Sequence, residues 1–211
     1  MLTGEQLKIF SVLCREPFRR FTFRQVKALS GQRSNNVVQI ALGKFEKEGI
    51  VRVERTGNVK AYSLEMDSGL ALSYLNLIGE ADLQENRKLP EQARKAVNEI
   101  RERVSGETGF FILLVFGSHA EGKASSRSDL DVAVIVDNEE ARKEVAPSME
   151  TVKRRSLVRI DYHVFTRKEF VEMLSSGQEN LGKQIYRKSV IIRGRIEYYS
   201  MIKGLAHGKI G

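Results

Sequence analysis

Phe110-Phe111-Ile112-Leu113-Leu114-Val115-Phe116-Gly117-Ser118 is followed, after ten residues, by Asp129-Leu130-Asp131-Val132-Ala133-Val134-Ile135-Val136. Each apolar run has the length and the β-branched or aromatic content of a strand, so the stretch reads as strand, tight turn, second strand. In an extended chain residues i and i+2 share a face, about 6.6 Å apart. Asp129 and Asp131 therefore converge on one side of a sheet. Two acids with no base beside them are costly as a purely structural choice and suited to holding Mg²⁺. The small Gly117-Ser118 turn lets backbone N–H groups approach an anion closely. Metal plus phosphate is the chemistry these residues predict.

Downstream the elements alternate. A helix is predicted over about 138–154. The run Val158 to Phe165 reads as another strand, with Asp161 flanked by Ile160 and Tyr162. Thr166 and Glu169 have capping-box spacing and open a helix through Phe170 and Leu174. Upstream, residues 67–106 read as helical throughout. Leu70, Leu77 and Ile78 mark one segment, and Pro90 suits the first turn of the next. Ala93, Val97, Ile100 and Val104 form an apolar stripe, expected to pack on the following domain or on a second subunit.

The first 66 residues have the rhythm helix, helix, helix, hairpin. Thr3 with Gln6, then Thr22, then Ser34 are the predicted caps. The second helix is expected to run through Val26 and Leu29 and to stop near Ser30-Gly31, and Val38, Ala41, Leu42 and Phe45 are the expected buried residues of the third, which ends at Gly49. Ile50 to Glu54 and Val59 to Leu64 flank a Thr56-Gly57-Asn58 turn. This pattern resembles a winged helix-turn-helix domain. The resemblance implies a third helix in the major groove, with Asn35, Asn36 and Gln39 facing bases. It also implies phosphate contacts from Arg33, Lys44, Arg52, Arg55 and Lys60.

Charge agrees with a polyanionic partner. The 211-residue chain carries a formal +8, and residues 1–66 hold twelve Lys/Arg against six acids, so most of the excess is local. No apolar run has the length of a membrane span, and the N-terminus lacks a signal-peptide pattern, so a cytoplasmic protein without a membrane partner is expected. The single cysteine, Cys14, permits no intrachain disulfide and reads as core filler.

Gly117-Ser118, ten residues, then Asp129-Leu130-Asp131 resembles the signature of polymerase β-type nucleotidyltransferases, closest to the minimal form, over residues 107–200. That family places a third acid on a later strand, where Asp161 falls. The implied architecture is α+β: a winged helix-turn-helix (1–66), a helical linker (67–106) and a nucleotidyltransferase domain (107–211) with a mixed sheet flanked by helices.

The resemblance implies Mg²⁺ held by Asp129, Asp131 and Asp161, which are also the catalytic residues. It implies a nucleoside triphosphate, ATP being the commonest choice in the family, bound by Gly117 and Ser118. Lys123, Arg127 and Ser128 are further candidates around the nucleotide. Transfer of a nucleoside monophosphate to a nucleic-acid or protein hydroxyl, with loss of pyrophosphate, is the implied activity. Some minimal members modify a partner toxin, though often without an extra N-terminal domain. A homodimer is an expectation from the 67–106 helices. The competing expectation is a DNA-binding regulator whose transferase domain senses nucleotide without catalysis. His119 is read as a helix residue facing water and His163 as bordering the pocket. Arg193, Arg195, Tyr198 and Tyr199 are read as core and surface residues.

Overall fold

The computed structural model describes residues 1–85, 89–125 and 127–206, with the side chains of 82, 84, 85 and 206 aside. The helical reading of residues 86–88, and of the tail after 206, lies outside these. Contacts divide the chain into two compact units, Met1–Asp82 and Leu83–Gly211.

The first unit begins with α1 (Gly4–Arg15), β1 (Phe21–Thr22), α2 (Phe23–Ser30) and α3 (Asn35–Lys47). Thr3 and Thr22 form reciprocal capping boxes with Gln6 and Gln25, and Ser34 caps α3 through Val37 N. Each cap satisfies N–H groups that a helix start leaves orphaned. The hairpin β2 (Val51–Thr56) and β3 (Val59–Leu64) pairs Val51 with Leu64 and Thr56 with Val59, and β1 adds to the free edge of β3. Val26, Val38, Leu42 and Phe45 are buried, but Leu29 is half exposed, because α2 has only two turns and its last one clears the core. Phe10 meets Phe45 and Tyr74 edge-on at 5.2 and 5.7 Å. Tyr74 lies on α4 (Gly69–Glu85), and its Oη accepts from Leu2 N.

The second unit is a four-stranded mixed sheet between helices. Its elements are α5 (Glu91–Glu107), β4 (Phe111–Phe116), α6 (Gly117–Ala120), β5 (Leu130–Val136), α7 (Glu139–Arg155), β6 (Ile160–Thr166), α8 (Arg167–Ser175), α9 (Leu181–Arg187), β7 (Val190–Arg193) and α10 (Arg195–Ala206). The strand order is β6-β5-β4-β7; β5 and β6 are parallel, and β4 is antiparallel to both β5 and β7. Parallel neighbours need a crossover, and α7 supplies it.

Alternation sends Leu113, Val115, Val132, Val134 and Ile160 to one face, where Val97, Ile100, Val104, Val145 and Met149 cover them. The stripe on α5 therefore packs within its own unit. Ile100 is wholly buried, and truncating such a residue costs about 2–5 kcal/mol. Asp131, Asp161 and His163 alternate to the opposite face. Among the described residues no helix is long and apolar enough to cross a membrane.

Candidate active site

β4 ends where β5 and β6 begin, so three strand termini meet at one end of the sheet. Asp131 is opposite Phe116 on β4 and in register with Asp161 on β6. Gly117 follows at φ +64°, in the left-handed region, and a Cβ built there would lie 2.0 Å from Asp131 Oδ2. Only glycine allows the turn and the carboxylate to approach so closely. The α6 helix is a single turn, so anion attraction there comes from its free N–H groups more than from a long dipole.

The acids are electrostatically frustrated. Burial pushes the Asp131 carboxyl above the usual carboxylate range, and Asp161 and Asp129 push it further, with His119 and His163 opposing. Asp129 Oδ1 is 3.4 Å from Arg159 Nε, and Asp161 Oδ2 is 3.9 Å from His163 Nε2. Among the described residues no three His, Cys, Asp or Glu side chains are gathered as a metal centre. Like-charge repulsion, with Arg159 on one flank and His163 on the other, accounts for the open arrangement. The donor chemistry fits a hard divalent cation, since carboxylate oxygens are its preferred ligands.

His119 was expected to face water and is instead 2% exposed, with Nε2 3.5 Å from Ser128 O. It links the Gly-Ser turn to the segment entering β5, and its Nδ1 is buried without a partner among the described residues. Its sequence neighbours are polar or small, so nothing local signals the burial. Ser128 Oγ accepts from Ser125 N at 2.9 Å, within the loop itself. Lys123 pairs with Glu121 at 2.7 Å. Arg127 is exposed in the same loop. Arg159, two residues before Asp161, was not singled out by the sequence; its position just before a strand-borne acid was the available signal. Tyr198 is buried, while Arg193 lies over the Phe111 ring at 4.1 Å.

In the first unit Asn36 and Gln39 line a hollow between α3 and the hairpin, with Ile40, Gly43, Lys60 and Tyr62. Asn35 borders a second hollow with Arg24, Lys27 and Gln32, and its Oδ1 accepts from Lys27 Nζ at 2.6 Å. Arg33 and Arg55 are exposed. Lys60 is 3.6 Å from Glu46. Lys44 does not join this set: its ammonium donates to Met1 O at 2.8 Å and sits near Gln6 and Glu48. Arg52 is held by Glu65 through two 3.0 Å hydrogen bonds.

Residues 98–197 match the family model described as polymerase beta, nucleotidyltransferase. The match supports the polymerase β-type superfamily for this part of the chain, and with it nucleotidyl transfer as the general chemistry. No curated protein matches the chain.

Proposed function

We propose that the chain is a Mg²⁺-dependent nucleotidyltransferase that moves a nucleoside monophosphate from ATP to an acceptor hydroxyl, and that its first unit is a nucleic-acid-binding winged helix-turn-helix. The observation that carries the transferase reading is the close approach of Asp131 to the Gly117 turn, with Asp161 in register beside it. A phosphate-sized anion cradled by the turn is then adjacent to the acids that need a cation.

Gly117 and Ser118 present backbone N–H groups to the terminal phosphates. Asp129, Asp131 and Asp161 are the residues that would hold the metal. Mg²⁺, when bound, neutralises the acids, draws charge off the triphosphate and lowers the pKa of the acceptor hydroxyl. The acceptor oxygen bonds to the α-phosphorus, and the α–β bridging P–O bond breaks with its electron pair leaving on pyrophosphate. The hydroxyl proton passes to Asp161 and then to solvent. His119 orients the turn against Ser128.

For the first unit, the helix–turn–helix order with a hairpin, the exposed amides Asn36 and Gln39 and the exposed cations Arg33 and Arg55 support binding of DNA or RNA.

Calorimetric titration of Mg²⁺ with each nucleoside triphosphate tests the transferase reading. Metal-dependent binding of ATP is expected, and it is abolished in Asp129→Asn/Asp131→Asn. Binding with no turnover over a broad acceptor screen would favour the nucleotide-sensing regulator. Absence of any triphosphate binding would overturn both.

A further inference from the structure

We propose that the first unit, whose reading as a nucleic-acid-binding domain this rests on, recognises the 5-methyl group of a thymine in duplex DNA. The hollow between α3 and the hairpin takes the methyl, and a carboxamide on its rim takes a neighbouring adenine. α3 carries Asn36, Gln39, Ile40 and Gly43 at i, i+3, i+4 and i+7, so the four share one face. The core takes the other face, through Val38, Ala41, Leu42 and Phe45.

Two of the four have no reason within the fold. Ile40 is 58% exposed in the middle of the helix, between exposed carboxamides. It gains little from packing there, and its branched Cβ slightly disfavours the helix. Gly43 is harder to explain, since glycine is the poorest helix former after proline. A Cβ at Gly43 would meet nothing within 4 Å, so no neighbour in the fold demands its absence. Both residues line the hollow, where the rings of Phe23 and Tyr62 supply further apolar wall. An exposed apolar side chain beside space kept open by a glycine suits an incoming surface that carries a small apolar projection.

The major groove of B-DNA presents hydrogen-bonding edges and one apolar group among them, the thymine 5-methyl. Carboxamides pair with adenine N6 and N7 in the same groove. An isoleucine set between two carboxamides therefore matches adjacent A·T pairs. RNA fails on two counts: uracil has no 5-methyl, and the A-form major groove is too narrow for side chains to read. Charge agrees with a duplex. Residues 1–66 hold twelve Lys/Arg against six acids; Arg33 precedes the N-cap of α3, and Arg55 is opposite Lys60 in the hairpin. Glu46 also lines the hollow, and Lys60 stands 3.6 Å from its carboxylate. A protein surface would cover Ile40 but gives no reason for the cationic surplus of the unit.

Selection of the full-length chain against a random pool of duplexes is expected to enrich a site with adjacent A·T pairs. Replacing each thymine of that site in turn by deoxyuridine removes only the methyl. At one thymine the affinity is expected to fall about four-fold, as burial of one methyl group predicts. Ile40→Ala alters an exposed side chain and leaves the core intact; it is expected to bind more weakly and to be indifferent to that replacement. Gly43→Ala is expected to raise the melting temperature and yet weaken duplex binding, whereas a purely structural glycine would lower both. Sensitivity at no thymine, equal sensitivity in Ile40→Ala, or RNA bound as well as duplex would overturn the methyl reader and leave the nucleic-acid reading in place. Binding to neither duplex nor RNA would overturn both, and would leave a protein as the occupant of this face of α3.

Discussion

The two units treat charge in opposite ways. In the first, several cations have nearby partners within an overall positive excess: Arg52 with Glu65, Lys60 with Glu46, Arg20 with Glu54, and Lys44 with a backbone carbonyl. These contacts are mostly exposed, so each contributes little to stability and leaves the unit's net positive charge intact. In the second, Asp131 is held above its ordinary titration range by burial and then by Asp161 and Asp129. Matched charge is what a fold adopts when left to itself. A half-buried carboxyl with like charges beside it, as at Asp131, is retained where a ligand supplies the missing partner, and the fold is less stable until it does.

The sharpest way to break this comparison is to place the same backbone strain in both units. Gly49 and Gly117 both have φ +64°, but a Cβ at Gly49 meets nothing within 4 Å, whereas at Gly117 it strikes Asp131. Gly49→Ala is expected to cost about 1–2 kcal/mol in urea denaturation, from left-handed strain alone. Gly117→Ala is expected to cost about 3 kcal/mol by adding overpacking, and to abolish triphosphate binding. Equal costs would show that the carboxylate does not crowd the turn.

A second test uses pH. Asp131 has a folded-state pKa raised above its unfolded value, so the stability associated with its neutral form is complete below about pH 4 and is lost as pH rises through the folded pKa. With a chelator present, Asp131→Asn is therefore expected to melt higher than wild type at neutral pH, with the advantage vanishing in acid. Saturating Mg²⁺ and ATP should reverse the order. A variant less stable than wild type at neutral pH would refute the frustration argument.

Within the first unit, Arg55→Ala is expected to lower the salt slope of oligonucleotide binding by about 1 without changing stability. Lys44→Ala is expected to do the converse, costing about 1 kcal/mol through its lost hydrogen bonds and leaving the slope unchanged. The smallest effect belongs to Arg159, whose side chain is 86% exposed. Arg159→Ala should leave the melting temperature nearly unaltered. By freeing Asp129, it should tighten Mg²⁺ binding a few-fold in calorimetry.

Much of this architecture is legible residue by residue. The capping boxes at Thr3, Thr22 and Thr166 join partners three positions apart, so each is a local statement. The alternation that sends Asp131 to the face opposite Leu130 and Val132 has a period of two, and is equally local. Less legible was Lys44, read as a phosphate contact, whose carbonyl partner is 43 residues away. The stripe on α5 was apolar by sequence, but only packing decided that its partner is the adjoining sheet and not another subunit.

The sequence by itself therefore determined the main run of helices and strands apart from β1, the helix starts at Thr3, Thr22, Ser34 and Thr166, the Gly-Ser turn and the order of the three acids. All of these rest on contacts within a few residues or on a short period. Only the tertiary structure decided that Asp131 lies over Gly117 and beside Asp161, that His119 is buried against Ser128, and that Arg159 holds Asp129. Those relations join segments brought together by strand register and by the α7 crossover. Their energies come from burial and from charge at close range, which arise only after distant parts of the chain have met.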